Sequence, residues 1–129
     1  MAHANSPGYL RLVDDAKTRV RQFTIDEFVS RLQAGERYIL LDAREDHEWA
    51  NGHIPSAHHI ARGVLEREIE QQIPEKDAPI VLYSGDGLRS ALAADNLQRM
   101  GYANVVSLDG GLHGWTARGL PTVKPEPGL

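Results

Sequence analysis

Apolar positions along this chain come in two rhythms. Residues 38–41, 80–83 and 105–108 form short runs that are apolar at nearly every position. Runs of that length, bounded by polar or turn residues, predict strands buried on both faces. Between them the apolar residues recur at helical spacing. Leu10, Val13, Ala16 and Val20 make one stripe over residues 9–21. Thr24 three residues before Glu27 is a capping box ahead of Phe28, Val29 and Leu32, and Gly35 supplies the stop. A helical turn is expected over 45–50, closed by Asn51-Gly52, and a brief strand over 57–60 after Ile54-Pro55. Residues 64–73 read as a helix with Val64, Leu65, Ile69 and Ile73 facing inward. In the amphipathic stretch 88–100, Leu88, Ala91, Leu92, Leu97 and Met100 are expected to pack, with Asp95, Gln98 and Arg99 in water. Gly101 is placed to end that helix in a left-handed conformation. A short helix through Trp115 follows Asp109-Gly110-Gly111.

Strands alternating with helices of this length predict an α/β fold, a central, mostly parallel sheet with helices on both faces. Residues 1–8 lack periodicity and are expected to be an irregular leader. The expected organisation is an N-terminal leader and helical extension over 1–19, one domain over 20–121, and a tail over 122–129. In open parallel sheets, binding sites lie beyond the carboxyl ends of the strands. Asp42, Ser84 and Asp109 each stand at such an end.

Of these three ends, the one headed by Ser84 carries the most pointed chemistry. The segment Ser84-Gly85-Asp86-Gly87-Leu88-Arg89 links a buried strand to the helix. Gly85 and Gly87 permit a backbone in which successive amides face a common centre. The helix N-terminus adds partial positive charge, and Arg89 a planar, permanently charged fork suited to an oxyanion. Such a loop stabilises negative charge at its first residue. A thiol there would have its usual pKa of about 8.5 drawn toward neutrality. A serine hydroxyl is far less acidic, so Ser84 without an adjacent base is a poor nucleophile.

Composition narrows the remaining chemistry. The chain has 129 residues, 41% hydrophobic and 25% charged, as expected of one globular domain. Its net charge of −4 gives no general attraction to nucleic acid or to anionic membranes, and no apolar run has the roughly 20 residues of a membrane span. With no cysteine, disulfides, iron–sulfur clusters and thiolate zinc sites are excluded. The expected location is the cytoplasm, since no secretion signal is recognised. Neither cofactor nor metal is expected: His47-Glu48 has its next histidine only at position 53, and the adjacent His58 and His59 would face opposite ways on a strand. His53 is expected to hydrogen-bond backbone in its turn, and Trp49 and Trp115 to anchor the core. A serine-hydrolase elbow needs glycine two residues before the serine, where Leu82 stands.

Three motifs in order carry a family resemblance from about Gln22 to Pro121. The first is Leu41-Asp42-Ala43-Arg44 with Glu48-Trp49 and Gly52-His53-Ile54-Pro55-Ser56-Ala57. The second is Tyr83-Ser84-Gly85-Asp86-Gly87-Leu88-Arg89-Ser90, and the third Leu108-Asp109-Gly110-Gly111-Leu112-His113-Gly114-Trp115. Together they resemble the rhodanese superfamily of sulfurtransferases. The resemblance implies that position 84 is the family's cysteine, which takes the outer sulfur of thiosulfate or a similar donor as a persulfide and passes it to a thiophilic acceptor. It also implies that the amides of Gly85, Asp86, Gly87 and Leu88, with Arg89, hold the anion. The loop from Ser84 to Arg89 has the six-residue length of sulfur-transferring members, one shorter than that of related phosphatases.

Two positions depart from the pattern. Ser84 replaces the cysteine, and a serine forms no persulfide. Ser56 stands where the family usually has glycine, a change expected to be harmless. Asp42 and Arg44 are read chiefly as structural, a strand-end carboxylate hydrogen-bonding the neighbouring loop's amides or pairing with an arginine. Arg44 and Arg62 are also candidates for the mouth of the site, drawing in anionic donors. As the sequence stands, the expectation is a sulfurtransferase scaffold that binds small anions without turning over. The alternative is a non-catalytic anion-binding or regulatory module that recruits a protein partner through the same loop.

Overall fold

The computed structural model describes residues 5–125. Its centre is a five-stranded sheet in the order β1-β5-β4-β2-β3, every neighbouring pair parallel. The strands are β1 (Arg21–Phe23), β2 (Ile39–Asp42), β3 (His58–His59), β4 (Ile80–Tyr83) and β5 (Val105–Leu108). Six helices connect or flank them: α1 (Pro7–Lys17), α2 (Ile25–Gln33), α3 (Asp46–Ala50), α4 (Leu65–Gln72), α5 (Leu88–Arg99) and α6 (Gly111–Ala117). The parallel α/β architecture follows the sequence reading, and β2, β4 and β5 fall on the three apolar runs.

Period-two alternation in these strands divides the core between the two faces of the sheet. Leu41, Ile80, Leu82 and Val105 pack with Leu65 and Ile69 of α4 and Ala93, Ala94 and Leu97 of α5. Leu40, Val81, Tyr83, Val106 and Leu108 pack on the other side with Phe28 of α2 and Trp115 of α6. All four residues of β4 are fully buried, so the loop that follows rises from the middle of the sheet. The capping box of α2 is in place: the Glu27 amide donates to Thr24 Oγ1 at 3.1 Å, and the Thr24 amide to Glu27 Oε1 at 3.2 Å.

Several expectations need correction. The helical extension begins at Pro7, inside the expected leader; residues 1–4 lie outside the described residues. α1 packs on α5 through Val13 and Ala16, whereas Leu10 of the expected stripe is exposed. Its stripe stops before β1, a three-residue strand at the sheet edge too short to show a period. Asp95 is buried, because Arg19 reaches over from the end of α1 and its Nε and Nη2 donate to both carboxylate oxygens at 3.0 and 2.8 Å. That guanidinium also holds the Asp95 carboxyl below the usual carboxylate range. Val123, in the described part of the tail, is tied down by reciprocal main-chain hydrogen bonds with His53, at 2.8 and 2.9 Å.

Candidate active site

The loop from Ser84 to Arg89 is shaped first by what its carbonyls do. The Leu112 amide donates to the Ser84 carbonyl and the His113 amide to the Gly85 carbonyl, each at 2.9 Å. The first turn of α6 thus turns these carbonyls away from the loop's interior. That contact requires glycine at 111: a side-chain carbon there would stand 2.9 Å from the Gly85 carbonyl carbon and run into the Ser84 oxygen. Gly87 is constrained by its φ of +95, and a Cβ there would also be tight, 3.0 Å from the Gly110 amide nitrogen.

Inside the loop, Ser84 is fully buried, and its hydroxyl is the point on which donors converge. The Gly87 and Ser90 amides donate to Ser84 Oγ at 3.1 and 3.2 Å. The Ser84 hydroxyl donates to Ser90 Oγ at 3.3 Å. These contacts lie on the long side of ordinary hydrogen bonds to oxygen, or beyond it. The Leu88 amide, expected among the anion-holding groups, is instead taken by the Asp86 carboxylate at 3.0 Å.

Arg89 leans toward α3. Its Nη2 donates to both Glu48 oxygens at 3.1 Å, and its Nη1 lies 3.8 Å from Glu45 Oε1. Burial alone would raise the Glu48 carboxyl, but the Glu45 amide and the Arg89 guanidinium outweigh it and hold the group below its ordinary value. The cation at the end of the loop therefore has carboxylate partners of its own, which an incoming anion must share or displace. α1 brings Tyr9 to the same neighbourhood: burial first, then the Asp86 charge, raises its hydroxyl.

Asp42 and Arg44 take their structural roles. The Arg44 side chain donates to both Asp42 oxygens at 2.8 to 3.1 Å, the Arg44 amide adds a bond at 2.9 Å, and Nη2 also reaches the Gly52 carbonyl. Both residues are buried, which leaves Arg44 behind the strand end rather than at the mouth. Arg62 donates to both oxygens of Glu66 on α4 at 2.8 and 2.7 Å, so its guanidinium is paired with a carboxylate. His53 Nδ1 meets the Ile54 carbonyl at 2.9 Å, as expected of a turn histidine. Trp49, expected in the core, is half-buried and stacks on His53 at 3.6 Å and His59 at 4.8 Å between ring centres. Trp115 is buried and donates to the Pro121 carbonyl at 2.7 Å. Ser56 has φ 70, in the left-handed region, so the glycine usual at this turn is replaced at some cost in strain.

Sequence reasoning missed Glu48 as the partner of Arg89, and it missed Ser90 and Ser107. A signal existed for Ser107, a lone hydroxyl inside the run Val105-Val106-Ser107-Leu108. Nothing in the spacing pairs residue 48 with residue 89; only the fold does. A half-open apolar cavity between α2, β2 and α6, lined by Phe28, Tyr38, Ile54 and Trp115, holds none of the loop residues.

Comparison with known proteins places the chain in a family. The family model for the Rhodanese-like domain matches residues 24–118. A sulfurtransferase from Allochromatium vinosum is 35% identical over 107 residues, covering 83% of this chain and 98% of that protein. Among solved structures, the protein RPA3614 from Rhodopseudomonas palustris, described as a possible tyrosine phosphatase, superposes with a TM-score of 0.82. It is 30% identical and covers 95% of this chain and 99% of its own. A thiosulfate sulfurtransferase from Pseudomonas aeruginosa gives a TM-score of 0.71 at 32% identity, over 81% of this chain but 20% of that longer one. The chain belongs to the rhodanese-like family.

Proposed function

We propose that this chain is a rhodanese-type sulfurtransferase scaffold whose transfer step is silenced at position 84. The observation that carries the reading is the convergence of two amides on the fully buried Ser84 Oγ at the head of the loop, with Ser90 Oγ beside it at 3.3 Å. With a cysteine at 84, those donors and the N-terminus of α5 favour the thiolate. The thiolate attacks the outer sulfur of thiosulfate. A bond forms between Sγ and that sulfur, the sulfur–sulfur bond of the donor breaks, and sulfite leaves with the electron pair. A thiophile such as cyanide then attacks the terminal sulfur and leaves with it, returning the thiolate. The loop binds the donor anion through backbone amides, and Arg89 joins by loosening from Glu48. With serine at 84 the first attack fails, because the hydroxyl stays protonated near neutral pH and no base activates it.

Thiocyanate formation from thiosulfate and cyanide tests this directly. The chain itself is expected to show none above background, and Ser84→Cys to turn over. If both proteins are folded and neither transfers sulfur, the non-catalytic binding module becomes the better reading.

A further inference from the structure

Beneath position 84 lies a pair of hydroxyls for which the sulfur-transfer steps above have no use. Ser90, in the first turn of α5, and Ser107, on β5, are both fully buried, with their oxygens 2.8 Å apart. Ser107 sits on an interior strand of the sheet, in register with Leu82 of β4 and Gln22 of β1. A lone serine at such a position exposes a polar atom to an apolar core unless it is hydrogen-bonded. Ser90 meets that need, and Ser90 in turn lies 3.3 Å from Ser84 Oγ.

Only one proton can lie between two hydroxyl oxygens, so the pair has two arrangements. When Ser90 donates to Ser107, the Ser90 oxygen is left to accept from a neutral group at 84. When Ser107 donates to Ser90, the proton of Ser90 is released toward position 84. An anion at 84 accepts and cannot donate, so it selects the second arrangement. We propose that Ser107 is a positioning residue: by donating to Ser90 it aims the Ser90 hydroxyl at an anion on residue 84. That adds a third donor to the amides of Gly87 and Ser90. The inference rests on the reading of position 84 as the seat of a sulfur nucleophile, since a serine carries no anion there near neutral pH.

The test is made in the Ser84→Cys protein, whose single thiol is titrated by the pH dependence of its alkylation with iodoacetamide. Ser107→Val and Ser107→Thr have the same shape and differ in the hydroxyl, so any packing strain is common to both. Thermal melting checks that each variant folds. The titratable and charged groups facing the loop, Asp86, Arg89, Glu48, Asp42, His113 and Tyr9, are unchanged throughout. Ser107→Val is expected to lower the thiolate fraction below the thiol's midpoint by roughly threefold to tenfold relative to Ser107→Thr, less than loss of a direct bond to a charged group. Ser90→Ala is expected to lower it at least as far, and adding Ser107→Val to Ser90→Ala to change nothing more. Identical titrations for the valine and threonine variants would overturn the proposal. So would a Ser107→Val shift that adds in full to that of Ser90→Ala. Failure of the sulfur-transfer reading looks different: the thiol would titrate as described yet gain no sulfur from thiosulfate.

Discussion

Position 84 shows how little a side chain can matter to a fold and how much to chemistry. The Gly87 and Ser90 amides donate to the serine oxygen, and on the proposed reading they would serve a thiolate in its place, which a hydroxyl near neutral pH is not. Other single residues bear on stability instead. Asp42 neutralises Arg44 where both are buried, and removing one partner of such a pair strands the other. Asp42→Asn is therefore expected to destabilise the protein by roughly 3 to 5 kcal/mol, read as a lower midpoint in urea. A change of less than 1 kcal/mol would show that Arg44 finds another partner. Ser56 works the other way. Its φ of 70 suits glycine, so Ser56→Gly is expected to gain up to about 1 kcal/mol in the same experiment, less whatever the freer chain loses on folding. A loss would mean that the serine side chain stabilises its turn by more than the strain costs.

Among the elements, α3 and α6 act as the two supports of the loop. α6 fixes its carbonyls through the Leu112 and His113 amides, and α3 holds Arg89 through Glu48. The second support depends on pH. Glu48 titrates below its ordinary value of 4.5 in the folded protein, so its contribution is present above that value and is lost as pH falls through the folded midpoint. The gap in melting temperature between the chain and Glu48→Gln is expected to be widest near neutrality and to close in acid. A gap that stays constant with pH would remove the ion pair as its cause. Elements with a strong local signal were legible beforehand: the apolar runs of β2, β4 and β5, and the capping box of α2. β1 was not, because three residues set by pairing with β5 carry no period of their own. Asp95 was read as wet because helical spacing shows which face a residue occupies but not that Arg19 will cover it.

Across the whole molecule, parallel pairing brings the ends of β2, β4 and β5 to one edge of the sheet, and the loop rises from its centre. The place of the site was thus legible from the order of strands and helices, and the loop from its glycines and arginine. The partners across the fold were not: Glu48 lies 41 residues from Arg89, and Ser107 17 residues from Ser90. Long-range pairs of this kind leave no mark in local spacing. The structural role of Asp42 and Arg44 was legible, but not the bond from Arg44 to the Gly52 carbonyl that helps keep it from the mouth of the site. What the fold gathers is a loop whose amides converge on Ser84 Oγ, which we propose as an anion-binding cradle silenced by that atom. The most direct measurement is the intact mass of the chain and of Ser84→Cys after incubation with thiosulfate, with peptide mapping to locate any gain. The account predicts that the cysteine variant gains one sulfur atom on residue 84, removable by cyanide, while the chain itself is unchanged. A folded cysteine variant that gains no sulfur, or gains it elsewhere, would contradict it.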